Sequence, residues 1–418
     1  MFAQRLPRST RGLIGCAVAL LLVAGMASGA PKVVTQDGVP HVMNPAKPKD
    51  SVTIEMEEVW RIGGEDDEEI FGVITDVVTD AEGNFYLLDS QLSEVKVYSS
   101  DGEFLRTIGR EGEGPGEFRA AFNLFNVPGG NIGVLQTFPS KVVTLTADGE
   151  PGGEYALPEV EGEGFRVLFS AQNAGDKLAL VYGLNQPSEA GFTQTSVLAI
   201  VDAKAQEETQ LHSQSSTMQA ATAMISEKEW DSFRNGRWAA SSDGHVYAAP
   251  TFQAYEINVW DGNGKLERVI HREYPDHMRS AEEKERLLEI YKGFTRRIPI
   301  PNIKYEIEDK YNQVSSLTVR DDGSLWVQTS RGAFGLDDGV VGIWDVFDRK
   351  GEFVKEVTLK GDGNPRLDGY FFVGDRLFVV TDFLNAMMAL QGGGGGSDEE
   401  EDEDDSALME VISYRVPL

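Results

Sequence analysis

Two sets of residues in this chain could do chemistry, and they point to different ligands. The first is a set of oxygen donors: Asp76, Asp89, Asn123 and Asp368. Carboxylates and amides brought together from neighbouring strands suit a hard cation such as calcium. The plainer role for such groups is to cap strands and bind channel water. The second set is cationic. Phe118-Arg119, Phe165-Arg166 and Phe233-Arg234 repeat a dipeptide, and Arg237, Arg296, Arg297 and Arg331 fall in or beside the same class of loop. The chain has 38 basic against 68 acidic residues, so arginines gathered at one mouth would stand out from an acidic surface. Their planar forks pair with carboxylates, which makes Arg119, Arg166, Arg234, Arg237 and Arg331 candidate ligand-binding residues. The plainer alternative is that each pairs with a local Asp or Glu.

Other chemistries are poorly supplied. The five histidines, His41, His212, His245, His271 and His277, show no metal-ligand spacing. There is no Gly-x-Ser-x-Gly elbow and no Cys/His pair. Gly109 to Gly116 is glycine-rich, but Glu111 and Glu113 within it would repel phosphate. The net charge of −30 argues against a nucleic-acid partner and against anionic lipid.

The ends of the chain read as processing and spacer segments. Arg5, Arg8 and Arg11, an apolar run from Leu13 to Met26, and Ser28-Gly29-Ala30 form a secretory signal peptide over residues 1–30. The protein is therefore expected in the periplasm or outside the cell, with no stable membrane span after cleavage. Cys16 is the only cysteine; Leu13-Ile14-Gly15-Cys16 looks like a lipobox, but most of the apolar run follows it. Residues 31–50 read as a flexible linker. Gly392–Gly396 and Ser397 lead into eight consecutive acids, Asp398 to Asp405. Such a segment buries nothing, so 392–406 is expected to be a disordered loop.

The elements that must position these residues come from a repeat. Val77 to Leu88 reads as strand, tight turn at Gly83, strand; Glu94–Ser99 and Phe104–Ile108 follow across the turn Ser100-Asp101-Gly102. Four short strands joined by Asp/Gly turns make one propeller blade. The first-turn glycine recurs as Gly83, Gly130, Gly175, Gly244, Gly323 and Gly374. The sixth unit lacks a second turn. Its third strand is expected at Met409–Val416, and its fourth from the N-terminus, because Glu57 to Gly63 resembles Glu103 to Gly109. The expectation is an all-β, six-bladed propeller over residues 51–418, closed by an N-terminal strand that covers a sheet edge.

Blade one carries a family resemblance. Asp80-Ala81-Glu82-Gly83-Asn84-Phe85-Tyr86-Leu87-Leu88-Asp89-Ser90, then Val95-Lys96-Val97-Tyr98, Asp101-Gly102-Glu103-Phe104 and Ile108-Gly109 through Gly116 to Phe118 resembles the NHL repeat. The match is good over blade one, fair over blades two, four and five, and poor over three and six. The resemblance implies a propeller, most often a binding scaffold, with some lyases and hydrolases among relatives. The lyases use converging histidines, and this chain has no matching set.

With the strands of each blade lettered a to d from inside to outside, the a–b and c–d turns are short. Inserts fall at the d–a links (205–233 and 272–311) and the b–c links (183–194, 330–339 and 383–406). All five project from one face. Ser280 with Glu283 is a capping box for a helix bearing Leu287, Leu288 and Tyr291, and Ser226 with Glu229 starts a second. The reading that follows is an exported binding or scaffold module for a protein, a peptide or an anionic small molecule, acting through this face and a central funnel, with no required cofactor. The alternative is a calcium-dependent hydrolase or lactonase in the funnel.

Overall fold

The structure is a computed structural model. It describes residues 30–417 apart from 66, 68, 156, 158, 159, 161–163, 189, 190, 203–206, 220–223, 231, 297–301, 333 and 393–407. The leader with Cys16, Arg297 and nearly all of the Gly/acid loop 392–406 lie outside the described residues.

Six four-stranded antiparallel blades follow one another around a ring. Blade one is Ile74–Thr79, Phe85–Asp89, Glu94–Tyr98 and Phe104–Ile108; blade two is Ala121–Asn126, Ile132–Gln136, Lys141–Leu145 and Pro151–Tyr155. Blade three is Phe165–Ala174, Lys177–Ser188, Gly191–Val201 and Glu208–Gln219; blade four is Trp238–Ala240, Val246–Ala248, Glu256–Trp260 and Leu266–Arg272. Blade five is Ser316–Val319, Leu325–Gln328, Val340–Phe347 and Phe353–Lys360. Blade six takes Gly369–Val373, Arg376–Val380 and Glu410–Arg415, and is completed by the N-terminal strand Glu57–Gly63. The β-branched and aromatic runs make the strands, and the Asp-Gly turns reverse them. Gly102 shows why one of these glycines is required. Its φ is 86°, and a Cβ there would stand 2.7 Å from Cγ of Trp60, so both backbone and packing exclude a side chain.

The hydrophobic core is distributed between blades. Trp60, Phe85 and Phe378 meet between blades six and one, and Tyr86, Val97 and Leu124 between one and two. Leu135 and Leu180 meet between two and three, Val181 and Trp260 between three and four, Tyr255 and Phe347 between four and five, and Trp344 and Leu377 between five and six. Each blade thus depends on both neighbours.

Residues 31–50, expected as a flexible linker, are mostly strand. Lys32–Gln36 and Val39–Asn44 form a hairpin whose second strand runs parallel to Leu266–Arg272, the outer strand of blade four. Asp50–Glu55 then runs parallel to Phe353–Lys360 on blade five. The physical reason is that outer strands present unpaired N–H and C=O groups, which a passing β-prone segment satisfies. The chain before Gly63 therefore covers the edges of blades four and five before it closes blade six.

Two of the inserts are also strand. In blade three residues 183–188 and 191–194 of the expected b–c loop continue strands b and c, and residues 208–219 of the expected d–a link form strand d. The helices are α1 (Glu227–Trp230), α2 (Ala281–Thr295) and α3 (Phe383–Gly392). In α2 the Ser280 side chain accepts from the Glu283 N–H, as the capping box predicts. Among the described residues no helix is long and apolar enough to cross a membrane.

Candidate functional site: the central channel

The six inner strands surround one cavity of about 520 Å³. Every blade contributes to it: Asp76, Asn123, Gln172, Ala240, Thr318 and Tyr370 represent blades one to six in turn. Ser241, Ser242, Arg320 and Asp321, from the a–b turns, also line it. The cavity thus lies towards the short-turn face. On the insert-bearing face α3 packs over the inner strand of blade six, with the Phe383 ring 5.8 Å from that of Phe371 in a T-shaped contact.

An inner strand has only one neighbour in its own blade, so half its backbone groups lack a ladder partner. Side chains of the preceding blade supply several. Asp76 Oδ2 accepts from the Leu124 N–H at 2.9 Å and from Asn123 Nδ2 at 2.6 Å. Asn123 Oδ1 accepts from the Ala171 N–H at 2.7 Å. Gln172 Oε1 accepts from the Ala240 N–H at 2.7 Å. From blade four to five the bond is between backbones, Leu317 N–H to the Gly236 carbonyl at 2.8 Å. Burial raises the Asp76 carboxyl to about 6, against the opposing effect of its hydrogen-bond donors.

This arrangement separates the four oxygen donors. Asp76 and Asn123 meet in the channel, but as partners of each other and of the next blade. Asp89 is completely buried at the end of its strand, where it accepts from the N–H groups of Gly72 (2.7 Å), Val73 (3.1 Å) and Leu92 (3.1 Å). Asp368 accepts from the N–H groups of Asn364 (2.6 Å) and Asp382 (2.9 Å). Asp89 and Asp368 are thus loop anchors and do not join Asp76 and Asn123 in lining the channel. Among the described residues no three His, Cys, Asp or Glu side chains stand together as a metal centre requires.

The arginines do not gather into one mouth either, and none of the five lines the channel. Arg119 lies 3.4 Å from Glu111 and 3.5 Å from Glu113. Arg166 stacks on Tyr182 at 4.5 Å with Glu208 at 3.8 Å. Arg234 stacks on Phe169 at 4.5 Å and donates to Gln194 Oε1 at 3.3 Å. Arg331 lies over Tyr274 at 4.7 Å. Arg237, the expected clamp, is 0 % exposed and sits 5.6 Å from the Phe252 ring. It precedes the inner strand of blade four, and its side chain is buried inside the protein beside that ring.

Residues 65–268 match the family model DUF5128, a 6-bladed beta-propeller. The blade count agrees with that description. Among solved structures the propeller is similar to a member of the DUF4221 family from Bacteroides vulgatus, with 12 % identity over 86 % of this chain and 97 % of that one and a TM-score of 0.46. It is also similar to regucalcin, a calcium-binding protein from Agrobacterium tumefaciens, with 10 % identity over 88 % and 98 % of the two chains and a TM-score of 0.39. A third is virginiamycin B lyase from Staphylococcus aureus, with 10 % identity over 82 % and 80 % and a TM-score of 0.36. No curated protein matches the chain.

Two features escaped sequence reasoning. Gln172 escaped because its role depends on an N–H of the next blade. The second is a pair of histidines 230 positions apart, His41 and His271, whose Nδ1 and Nε2 are 2.8 Å apart. Nothing in the sequence of Val39–Asn44 names blade four as its partner.

Proposed function

We propose that this is an exported binding module that takes a small polar ligand, neutral or amine-bearing, into its channel from the short-turn face. The observation that carries the reading is that six blades converge on one cavity of about 520 Å³, within the ~300–1,000 Å³ of small-molecule sites. Its lining supports a hydrogen-bonding ligand. Asn173, Ser242, Thr318 and Asp321 join the stitching residues there, and the lining's two carboxylates, Asp76 and Asp321, outnumber its one guanidinium, Arg320, which favours a neutral or positive ligand. A ligand touching several inner strands also ties blades together, so binding stabilises the closed ring.

The test is a thermal-unfolding screen of the mature protein against polyols, sugars, amino acids and amines, followed by calorimetry on any hit. Thr318→Val and Asp321→Asn are expected to weaken binding while leaving the unliganded unfolding temperature within a degree or two. If no compound raises that temperature, or if both variants bind as tightly as the parent, the channel reading fails. Elemental analysis of the same preparation separates the hydrolase: stoichiometric calcium with lactone hydrolysis would replace the binding module by that enzyme.

A further inference from the structure

On the insert-bearing face a second cavity, of about 170 Å³, lies where α2 and α3 meet. Leu287 and Ile290 of α2, Leu384 of α3 and Phe334 of blade five give it apolar walls. Its polar end is built from Arg279, Arg286 and Arg366 with Glu283 and Tyr311. Arg279 is neutralised: Nη1 donates to Glu227 Oε2 at 2.6 Å and Nη2 to Oε1 at 2.5 Å. Its guanidinium lies 4.5 Å from the centre of the Tyr311 ring. Arg366 is neutralised by Glu283, with Nη2 donating to Oε1 at 2.7 Å. Arg286 has no carboxylate partner among the described residues. Its Nη2 donates only to the Arg366 carbonyl, at 3.2 Å. Arg279 and Arg366 are thus each paired with a carboxylate, and among the described residues Arg286 is the pocket guanidinium that is not.

We propose that this pocket binds a monocarboxylate carrying a short branched or aromatic apolar group, with the carboxylate on Arg286. One guanidinium free of a carboxylate, with Glu283 beside it, suits a monoanion better than a dianion such as phosphate. The forked guanidinium suits the planar carboxylate. The volume sets the size, since it equals about six waters' share of liquid volume. The apolar group lies against Leu287, Ile290, Leu384 and Phe334, which removes its surface from water. Such a carboxylate is either a free acid or the C-terminal residue of a peptide. The pocket is separate from the channel, so the two readings stand or fall independently.

Calorimetry on the whole mature protein tests this, with phenylacetate and 4-methylpentanoate as free acids. N-acetyl-glycyl-leucine with a free or an amidated C-terminus is the peptide arm. At least one carboxylate is expected to bind, and its amide is not. Arg286→Gln is expected to weaken binding by about tenfold or more, the worth of one charge-assisted hydrogen bond. Leu384→Trp, which fills the cavity and alters no charge, is expected to abolish binding. Tighter binding of the peptide acid than of the free acids identifies a chain terminus as the natural source, and the reverse order identifies a small acid. The proposal is overturned if amides bind as well as acids, if folded Arg286→Gln or Leu384→Trp protein keeps full affinity, or if none of the acids binds.

Discussion

The Leu124 N–H of blade two donates to Asp76 Oδ2 of blade one at 2.9 Å, so a side chain of one sheet completes the exposed edge of the next. Asn123 and Gln172 repeat the arrangement at the following two boundaries. At these three boundaries the channel wall is polar because side chains satisfy inner-strand N–H groups that have no ladder partner, whereas between blades four and five the backbones bond directly. Polar residues on inner strands, which look like ligands for a cation when only the repeat is visible, are held by backbone donors.

Asp76→Ala is expected to lower stability by about 1–3 kcal/mol, because it strands the Leu124 N–H and takes one of two acceptors from the Asn123 amide. Asn123→Ala should cost a similar amount through the Ala171 N–H. The two residues are in contact, so the double variant should lose less than the sum of the single losses. Urea-unfolding midpoints at fixed pH measure all three. Strict additivity would mean that the two side chains do not act as one unit.

The ring was legible because its punctuation is backbone chemistry. Gly83 and Gly102, with φ of 85° and 86°, occupy turns that side chains resist, and such glycines recur at near-constant spacing. The closing strand was legible because Glu57 to Gly63 has the composition of an outer strand. The course of residues 31–50 was not, since what holds them as strands is the unpaired edges of blades four and five, far away in sequence. The candidate site was the least legible part. Asp76 and Asn123 were found at the channel, but nothing in a single chain tells which N–H a carboxylate will meet. Arg237 lies just before an inner strand, and sequence says where its backbone lies but not which way so long a side chain turns.

Asp345 and Arg272 are buried together between blades four and five. Arg272 donates to the Asp345 carboxylate, and Tyr255 Oη donates to Asp345 Oδ2 at 2.7 Å. Burial nevertheless raises Asp345 to about 6, with Arg272 and Tyr255 opposing it. The folded protein thus holds this proton more tightly than the unfolded chain does, so the group's contribution to stability falls as pH rises from about 4 to about 6. Arg272→Met removes the counter-charge and should cost about 3–5 kcal/mol where Asp345 is ionised. The loss should be smaller at pH 5, where the carboxyl takes up a proton. Denaturant titrations of parent and variant at pH 5 and pH 8 read this difference; equal losses at both would show that an ionised Asp345 is not the cause.

The N-terminal strands should contribute unequally. Trp60 and Ile62 are 8 % exposed and belong to the core between blades six and one, so Trp60→Ala is expected to cost about 3–5 kcal/mol. Asn44 is buried where the hairpin meets blades four and five. Its Nδ2 donates to the Gly351 carbonyl at 2.8 Å and its Oδ1 accepts from the Phe353 N–H at 2.8 Å. Asn44→Ala should cost about 1–3 kcal/mol. Removing residues 31–44 should destabilise the ring less than removing residues 31–63, which also opens blade six. Thermal unfolding of the two truncations decides this, and equal midpoints would contradict the closure role of Glu57–Gly63.

The histidine pair makes the hairpin's attachment depend on pH. His41 Nδ1 and His271 Nε2 are 2.8 Å apart, so one proton lies between two neutral rings, one donating and the other accepting. Protonating the accepting nitrogen makes that ring a cation and sets two N–H groups against each other, and protonating both rings would place two cations in contact. Burial first, and then His41, holds His271 down at about 4. The folded state therefore binds fewer protons here than the unfolded chain, whose histidine titrates near 6.5. Stability from this contact is complete above about 6.5 and is lost as pH falls towards 4. Glu256, 3.9 Å from His271 Nδ1, is the acid placed to soften the loss. The attachment is local, so the expected effect is on Lys32–Asn44 and not on the ring. After correction for intrinsic rates, amide exchange in that segment should be faster at pH 5 than at pH 7.5, while Phe85–Asp89 stays protected at both. His271→Gln keeps a hydrogen-bonding side chain, prevents the paired charge and should remove most of the difference. A hairpin that exchanges at the same corrected rate at both values would show that the two rings do not govern its attachment.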